Sequence, residues 1–246
     1  MKERNEHARH PARQILAAKP ALRLLYAEFY SRYAECLQRS SGAGLILEIG
    51  SGGGFAKEII PQLVSSDIVA CEGLDLLLDA ERLPFLQNSL RLVCLLNVFH
   101  HLQDPECFLD EVWRCLQPLG RVILVDQHPG WPGRLIYRYG HHERFDMKAE
   151  QWRSDLHRVP SHANGAMPWI VFQRDLRRFE QRFPGFRLVR YQPHTPLRYW
   201  LSGGLKKWSL LPSWAYPSLK RLDNLLLKGS PQFGSFVDIE LVKTQV

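Results

Sequence analysis

The chain has 246 residues, 45% hydrophobic and 23% charged, with a formal net charge of +7. These proportions describe a folded globular protein long enough for a full core, and they exclude disordered, collagen-like and coiled-coil classes. No apolar run reaches the ~18–20 residues of a membrane-spanning helix, and the basic amino end MKERNEHARHPARQ has no apolar stretch behind it, so no secretory leader is expected.

A cytoplasmic location follows as the expectation, and the cysteines agree with it. Cys36, Cys71, Cys94, Cys107 and Cys115 are odd in number and contain no CxxC pair, which disfavours a disulfide framework or a zinc ribbon. Charge is unevenly distributed: residues 1–40 carry +4, residues 41–126 carry −7 and residues 127–246 carry +10. Trp113 alone precedes residue 127, and six tryptophans follow it. An acidic middle joined to a basic, Trp-rich end assigns two tasks to one chain.

Along residues 12–37, Leu22, Leu25, Tyr26, Phe29, Tyr33 and Leu37 recur at helical spacing, with Pro20 at a first turn. Strands and helices then alternate. Leu45–Ile49, Leu63–Ser66, Leu74–Leu78, Leu92–Leu96 and Val122–Val125 read as buried strands, and Phe55–Ile60 as a short helix. Asp104-Pro105 opens another helix, with Phe108, Leu109, Val112 and Leu116 as its apolar stripe. Residues 127–170 form an insertion over the sheet's carboxyl edge. Phe172, Leu176, Phe179 and Phe183 outline a helix whose opposite face, Arg174, Arg177, Arg178 and Arg182, is expected to be solvated. Phe186–Tyr191 and Phe236–Val242 are two final strands.

The expected fold is α/β: a doubly wound, mostly parallel, seven-stranded Rossmann-like sheet with an N-terminal helix and insertions capping the carboxyl edge. The expected organisation is an N-terminal helical segment (1–40), a cofactor-binding core (41–126), and a cap with the last two strands (127–246).

The chemistry centres on LEIGSGGGF, residues 47–55, between the first strand and the first helix. Gly50, Gly52 and Gly54, with Ser51 among them, let the backbone turn sharply beside a ligand at the edge where open α/β sheets bind ligands. Phe55 breaks a dinucleotide fingerprint, and no Gly-Lys-Ser/Thr follows to make a phosphate loop. Glu48 suits a cationic amino group better than a pyrophosphate. Asp67 ends the second strand, where such folds place a carboxylate on ribose hydroxyls. Asp79-Ala80 ends the third, and Asn97 ends the fourth, ahead of His100-His101.

This ordered set resembles the class I S-adenosylmethionine-dependent methyltransferases, in particular their small-molecule "type 11" group, over residues 44–126. The resemblance implies S-adenosylmethionine as cofactor, with Glu48 and the glycine turn at its methionine end. It also implies Asp67 on the ribose (Glu72 being the rival), Asp79 with Ala80 at the adenine, and Asn97 beside the sulfonium. Three features depart from the family pattern: Arg91 replaces an acid, Leu119 replaces a turn glycine, and the segment between the second and third strands lacks the usual helix.

His101 is the first candidate for a general base, followed by His100 and His142, with His141 also considered. His100 and His101 read equally well as caps of the helix at Asp104. A metal at His141-His142-Glu143 is not expected, because adjacent histidines diverge and no third ligand stands at a telling spacing. The expected acceptor is a small or glycan/lipid-linked molecule, acidic in view of the basic cap and methylated at oxygen. Trp200, Lys206, Lys207, Trp208 and Trp214 mix aromatic and cationic groups as interfacial segments do, consistent with peripheral contact at the inner membrane face. An RNA methyltransferase and a non-catalytic S-adenosylmethionine-binding scaffold are the alternatives. No recognisable RNA-binding module supports the first, and a nicotinamide-dependent oxidoreductase is disfavoured by Phe55.

Overall fold

The structure, a computed structural model, describes residues 11–139, 144–153 and 163–244. Seven strands form one sheet: β1 (Leu45–Ile49), β2 (Val64–Asp67), β3 (Leu76–Leu77), β4 (Leu90–Leu96), β5 (Leu116–Gln127), β6 (Phe186–His194) and β7 (Phe236–Lys243). Their spatial order is β3-β2-β1-β4-β5-β7-β6. All pairs are parallel except those of β7, which runs antiparallel to both neighbours.

The continuous apolar runs of the central strands follow from burial on both faces. Along β4, Leu92, Cys94 and Leu96 point into one core while Val93 and Leu95 point into the other. The first core is covered by α1 (Pro11–Ala18) and α2 (Pro20–Arg39), whose Leu22, Leu25, Phe29 and Tyr33 are buried. The second is covered by α3 (Pro105–Cys115), by α5 (Met167–Trp169) and by the helix after it. Pro20 stands at the first turn of α2 as the sequence requires. Asp104 caps α3, its carboxylate accepting from the Glu106 and Cys107 amides at 3.1 Å.

Several expectations are corrected. The helix expected over Phe55–Ile60 is a single 3-10 turn, Ala56–Glu58. As expected, no helix joins β2 to β3; Lys57 and the Ser65 amide hold Asp75 there, at 2.7 and 2.8 Å. The helix expected around Phe172–Phe183 is a π turn, Ile170–Arg174, followed by α6 (Leu176–Arg182). The break is at Asp175, whose carboxylate is held by Trp152 Nε1 at 2.9 Å and by Arg174. The arginines of this segment are not simply solvated. Arg178 reaches Glu106 at 2.6 Å and Arg182 reaches Asp110 at 2.5 Å, tying α6 to α3.

Two departures from the family pattern acquire local reasons. Arg91 closes the carboxyl end of α2, its guanidinium donating to Ser40 Oγ and to the carbonyls of Leu37 and Ser40. Leu119 adopts a left-handed φ of 63° inside β5 with its side chain 40% exposed. A side chain in that region costs ~1–2 kcal/mol, so Leu119→Gly is expected to raise the melting temperature by about 2–4 °C, measured by differential scanning calorimetry.

Beyond β5 the chain forms α4 (Trp131–Tyr139), and beyond β6 it forms α7 (Arg198–Leu201) and α8 (Tyr216–Gly229). These leave the same carboxyl edge of the sheet as the β1 turn, because β6 runs parallel to β5. No helix among the described residues is long and apolar enough to cross a membrane.

Candidate active site

At the carboxyl edge of β1, β2 and β4 lies a cavity of about 630 Å³, within the range of small-molecule sites. It gathers Glu48, Gly50, Ser51, Gly52, Gly54, Asp67, Asp79, Ala80, Asn97 and His101. Residues from four strand ends, spread over 54 positions of sequence, thus surround one space. Glu72, the rival of Asp67, is exposed and does not line it.

The floor is the turn after β1. Gly50 has φ +71° and Gly52 φ +49°, both left-handed. A methyl group on Gly50 would run into the Val98 side chain. Gly50→Ala is therefore expected to cost about 1–3 kcal/mol of stability through strain and to close the cavity floor, read as a lower melting temperature and loss of ligand-induced stabilisation.

Glu48 is buried beneath this turn, with the Ser51 hydroxyl donating to it at 2.8 Å and no cation pairing with it among the described residues. Burial pushes its carboxyl up to about 7, the Ser51 hydrogen bond opposes this, and the Asp67 charge adds to it. A carboxylate desolvated without a counter-charge is a built receptor for a cation.

Asp67 braces the glycine turn, accepting from the Gly52 amide at 2.8 Å and from the Val69 amide at 3.0 Å. Ile68 and Val69 beyond it are 69% and 59% exposed and line the cavity as apolar walls, as does Leu78. Asp79 both caps a turn, accepting from the Glu81 amide at 2.9 Å, and faces the cavity. Asn97 holds a left-handed φ of 55°, and its Oδ1 is buried without a partner. Its side chain hydrogen-bonds the buried Tyr26 phenol, which also lines the cavity.

A sequence profile described as a methyltransferase domain matches residues 47–124, the stretch that builds this cavity. Residues 47–124 carry a methyltransferase domain. No curated protein matches significantly. Among solved structures, a SAM-dependent methyltransferase from Archaeoglobus fulgidus aligns with TM-score 0.54 at 14% identity, covering 89% of this chain and 94% of the other. Geranyl diphosphate C-methyltransferase from Streptomyces coelicolor aligns with TM-score 0.50 at 14% identity, over 99% and 88%. A complex of the Haloferax volcanii Trm112 methyltransferase activator with a methyltransferase aligns with TM-score 0.50 at 12% identity, over 94% and 96%. At these identities the likeness is one of fold.

The methyltransferase domain separates the two adjacent histidines. His100 is buried: its Nδ1–H donates to Asp126 at 2.5 Å, its Nε2 lies 3.3 Å from Gln127 Nε2, and it is not on the cavity wall. His101 is exposed, lines the cavity, and lies against His100 with ring centroids 4.0 Å apart and the rings tilted by 39°. Neither caps α3, which Asp104 caps, while Glu81 accepts from the Gln103 and Asp104 amides. His141, His142 and Glu143 lie outside the described residues. Among the described residues no cluster of His, Cys, Asp and Glu has metal-binding geometry.

The cap meets the methyltransferase core at this point. The Asn164 amide donates to the His100 carbonyl at 2.8 Å, and Gly165 packs on Gln127 so closely that a methyl group there would collide with it. Sequence reading missed several cavity residues: Ala12 and Leu16 of α1, Tyr26 and Tyr30 of α2, and Leu205. The Tyr26 position reads as ordinary helix core, and nothing local marks its second role.

Proposed function

We propose that this protein methylates an oxygen of a small or glycan/lipid-linked acceptor, with His101 removing the acceptor's proton. The observation that carries the reading is Glu48: an uncompensated buried carboxylate beneath a glycine cradle, beside Asp67 and Asp79 on the same cavity. These residues fit the donor's parts. Glu48 and the Gly50–Gly54 turn would hold its amino-acid end, Asp67 the ribose, Asp79 and Ala80 the adenine, and the Asn97 amide the neighbourhood of the sulfonium. When bound, the donor supplies an already activated methyl group.

The protein's own work is then alignment, exclusion of water and proton removal. Alignment contributes ~7–11 kcal/mol, more than the ~3–5 kcal/mol of a general base. α1 serves it by lying over the turn, Leu16 and Ala12 closing the cavity from above. His101 stands beside Asn97 and Val98 on the cavity wall, where an acceptor hydroxyl would give up its proton. His100 supports it from behind, fixed by Asp126.

The +10 charge of residues 127–246 favours an acidic acceptor. Incubation with labelled methyl donor and fractionated cell extract tests this. Label in organic-extractable or small acidic molecules is the expected result. Label confined to RNA overturns the acceptor, and donor binding without S-adenosylhomocysteine formation in any fraction overturns the enzyme reading in favour of a scaffold.

A further inference from the structure

α8 leaves two of its five leucines exposed while burying an acid. An ordinary surface helix buries its leucines and exposes its charges. Here the face turned to the body mixes apolar packing with ion pairs: Leu219 packs on the core with Tyr216, while Asp223 is fully buried against Arg198 at 2.8 Å, and Tyr216 and Lys220 both reach Glu28 of α2, at 2.9 and 2.8 Å. The face turned outward is apolar. Trp214, in the turn just before α8, is 82% exposed, and Leu222 and Leu225, eight and eleven positions further on, are 42% and 65% exposed. The loop entering α8 continues it with Trp208 at 48% and Leu210 at 73%. Exposed cations, Lys207, Arg221 and Lys228, are interleaved with these residues. The only acid between residues 199 and 229 is the buried Asp223.

We infer that the outward face of α8 and the loop 205–214 form a docking surface for an anionic phospholipid bilayer. Large apolar side chains bordered by cations are what an in-plane interfacial helix presents. A second copy of the chain is disfavoured, because a two-fold contact would bring the cations together. The tryptophans could stack on a base, but the exposed leucines beside them offer it no ring face, whereas acyl chains accept both kinds of side chain. The surface also joins the cavity: Leu205 is 41% exposed at its start and lines the donor site. A lipid-linked acceptor would thus reach the catalytic cavity along protein that is already seated on the membrane. This route rests on the acceptor reading above; the docking surface itself does not.

The test is co-sedimentation of the full chain with vesicles of phosphatidylcholine alone and of phosphatidylcholine with about a third phosphatidylglycerol, beside calorimetric titration of S-adenosylmethionine on the same samples. Binding to the anionic vesicles only is expected. Trp214→Ser with Leu225→Ser should weaken it at least tenfold, and Lys207→Gln, Arg221→Gln and Lys228→Gln together about a hundredfold, at roughly fivefold per cation. Donor binding by both variants should equal that of the parent, which also shows that they are folded. Absence of vesicle binding overturns the inference, as does vesicle binding indifferent to both variants. Self-association, or RNA binding, that both variants abolish while vesicles are ignored assigns the surface to that partner and overturns it too. Loss of donor binding in the parent protein sinks the enzymatic reading and leaves the vesicle result standing.

Discussion

Glu48→Gln is expected to give a protein that is more stable without ligand and blind to the methyl donor. The carboxyl of Glu48 rises from an ordinary value of 4.5 to about 7 on folding, chiefly through desolvation. A raised acid binds its proton more tightly in the folded state, so its charge costs stability, progressively as pH climbs from 4.5 towards 7 and fully above that. The cost is roughly 3 kcal/mol. Glutamine keeps the shape and can still accept from Ser51 without carrying the charge. At pH 8 the variant should therefore melt roughly 5–10 °C higher than the parent.

The same change removes the counter-charge that we propose for the donor's ammonium, and breaking such a buried pair costs ~3–5 kcal/mol. Donor affinity should fall by two orders of magnitude or more. In the parent, affinity should decline about tenfold per unit as pH drops below 7, since the ammonium selects the ionised carboxyl, and weaken again above about 8 as the ammonium loses its own proton; in the variant the acid-side decline should be absent. Thermal denaturation and calorimetry between pH 5.5 and 8.5 check both halves. Equal melting temperatures at pH 8 would show that Glu48 is compensated in the folded protein.

His101→Ala is expected to lower the rate of methyl transfer by ~10²–10⁴ and to leave donor affinity unchanged, because alignment is performed by other residues. His100→Ala should affect rate less, since His100 touches His101 and Asp126 rather than the cavity. Labelled methyl incorporation into whichever fraction accepts it provides the measurement. Undiminished transfer by His101→Ala would mean that alignment alone suffices.

The cavity floor is readable in sequence because it is built locally. Each of Glu48, Asp67, Asp79 and Asn97 ends a strand, and parallel winding brings consecutive strand ends to one edge. The β1 turn carries its own conformational signal in Gly50 and Gly52. What covers that site is contributed from far along the chain. Tyr26 obeys the helical stripe of α2 and also faces the cavity, so its periodicity hides its use. Leu205 arrives from a loop some 150 residues beyond the glycine turn, which no local pattern connects to it.

Charge patterns were legible only in aggregate. The arginines of α6 read as a wetted face because their partners, Glu106 and Asp110, stand 72 positions away. Trp200 shares composition with Trp208 and Trp214, yet its indole donates to Ser235 at 2.7 Å as an internal strut, while the other two face outward. Arg91 and Leu119 look like lapses from a family pattern; one closes α2, and the other is a strained position that the strand tolerates.

Titration of the parent protein with S-adenosylmethionine at pH 8, followed by heat, reads the occupancy of the Glu48 cavity most directly. Saturable binding at one site, abolished by Glu48→Gln, is the predicted result. No heat at millimolar donor, or equal heat from parent and variant, would contradict it.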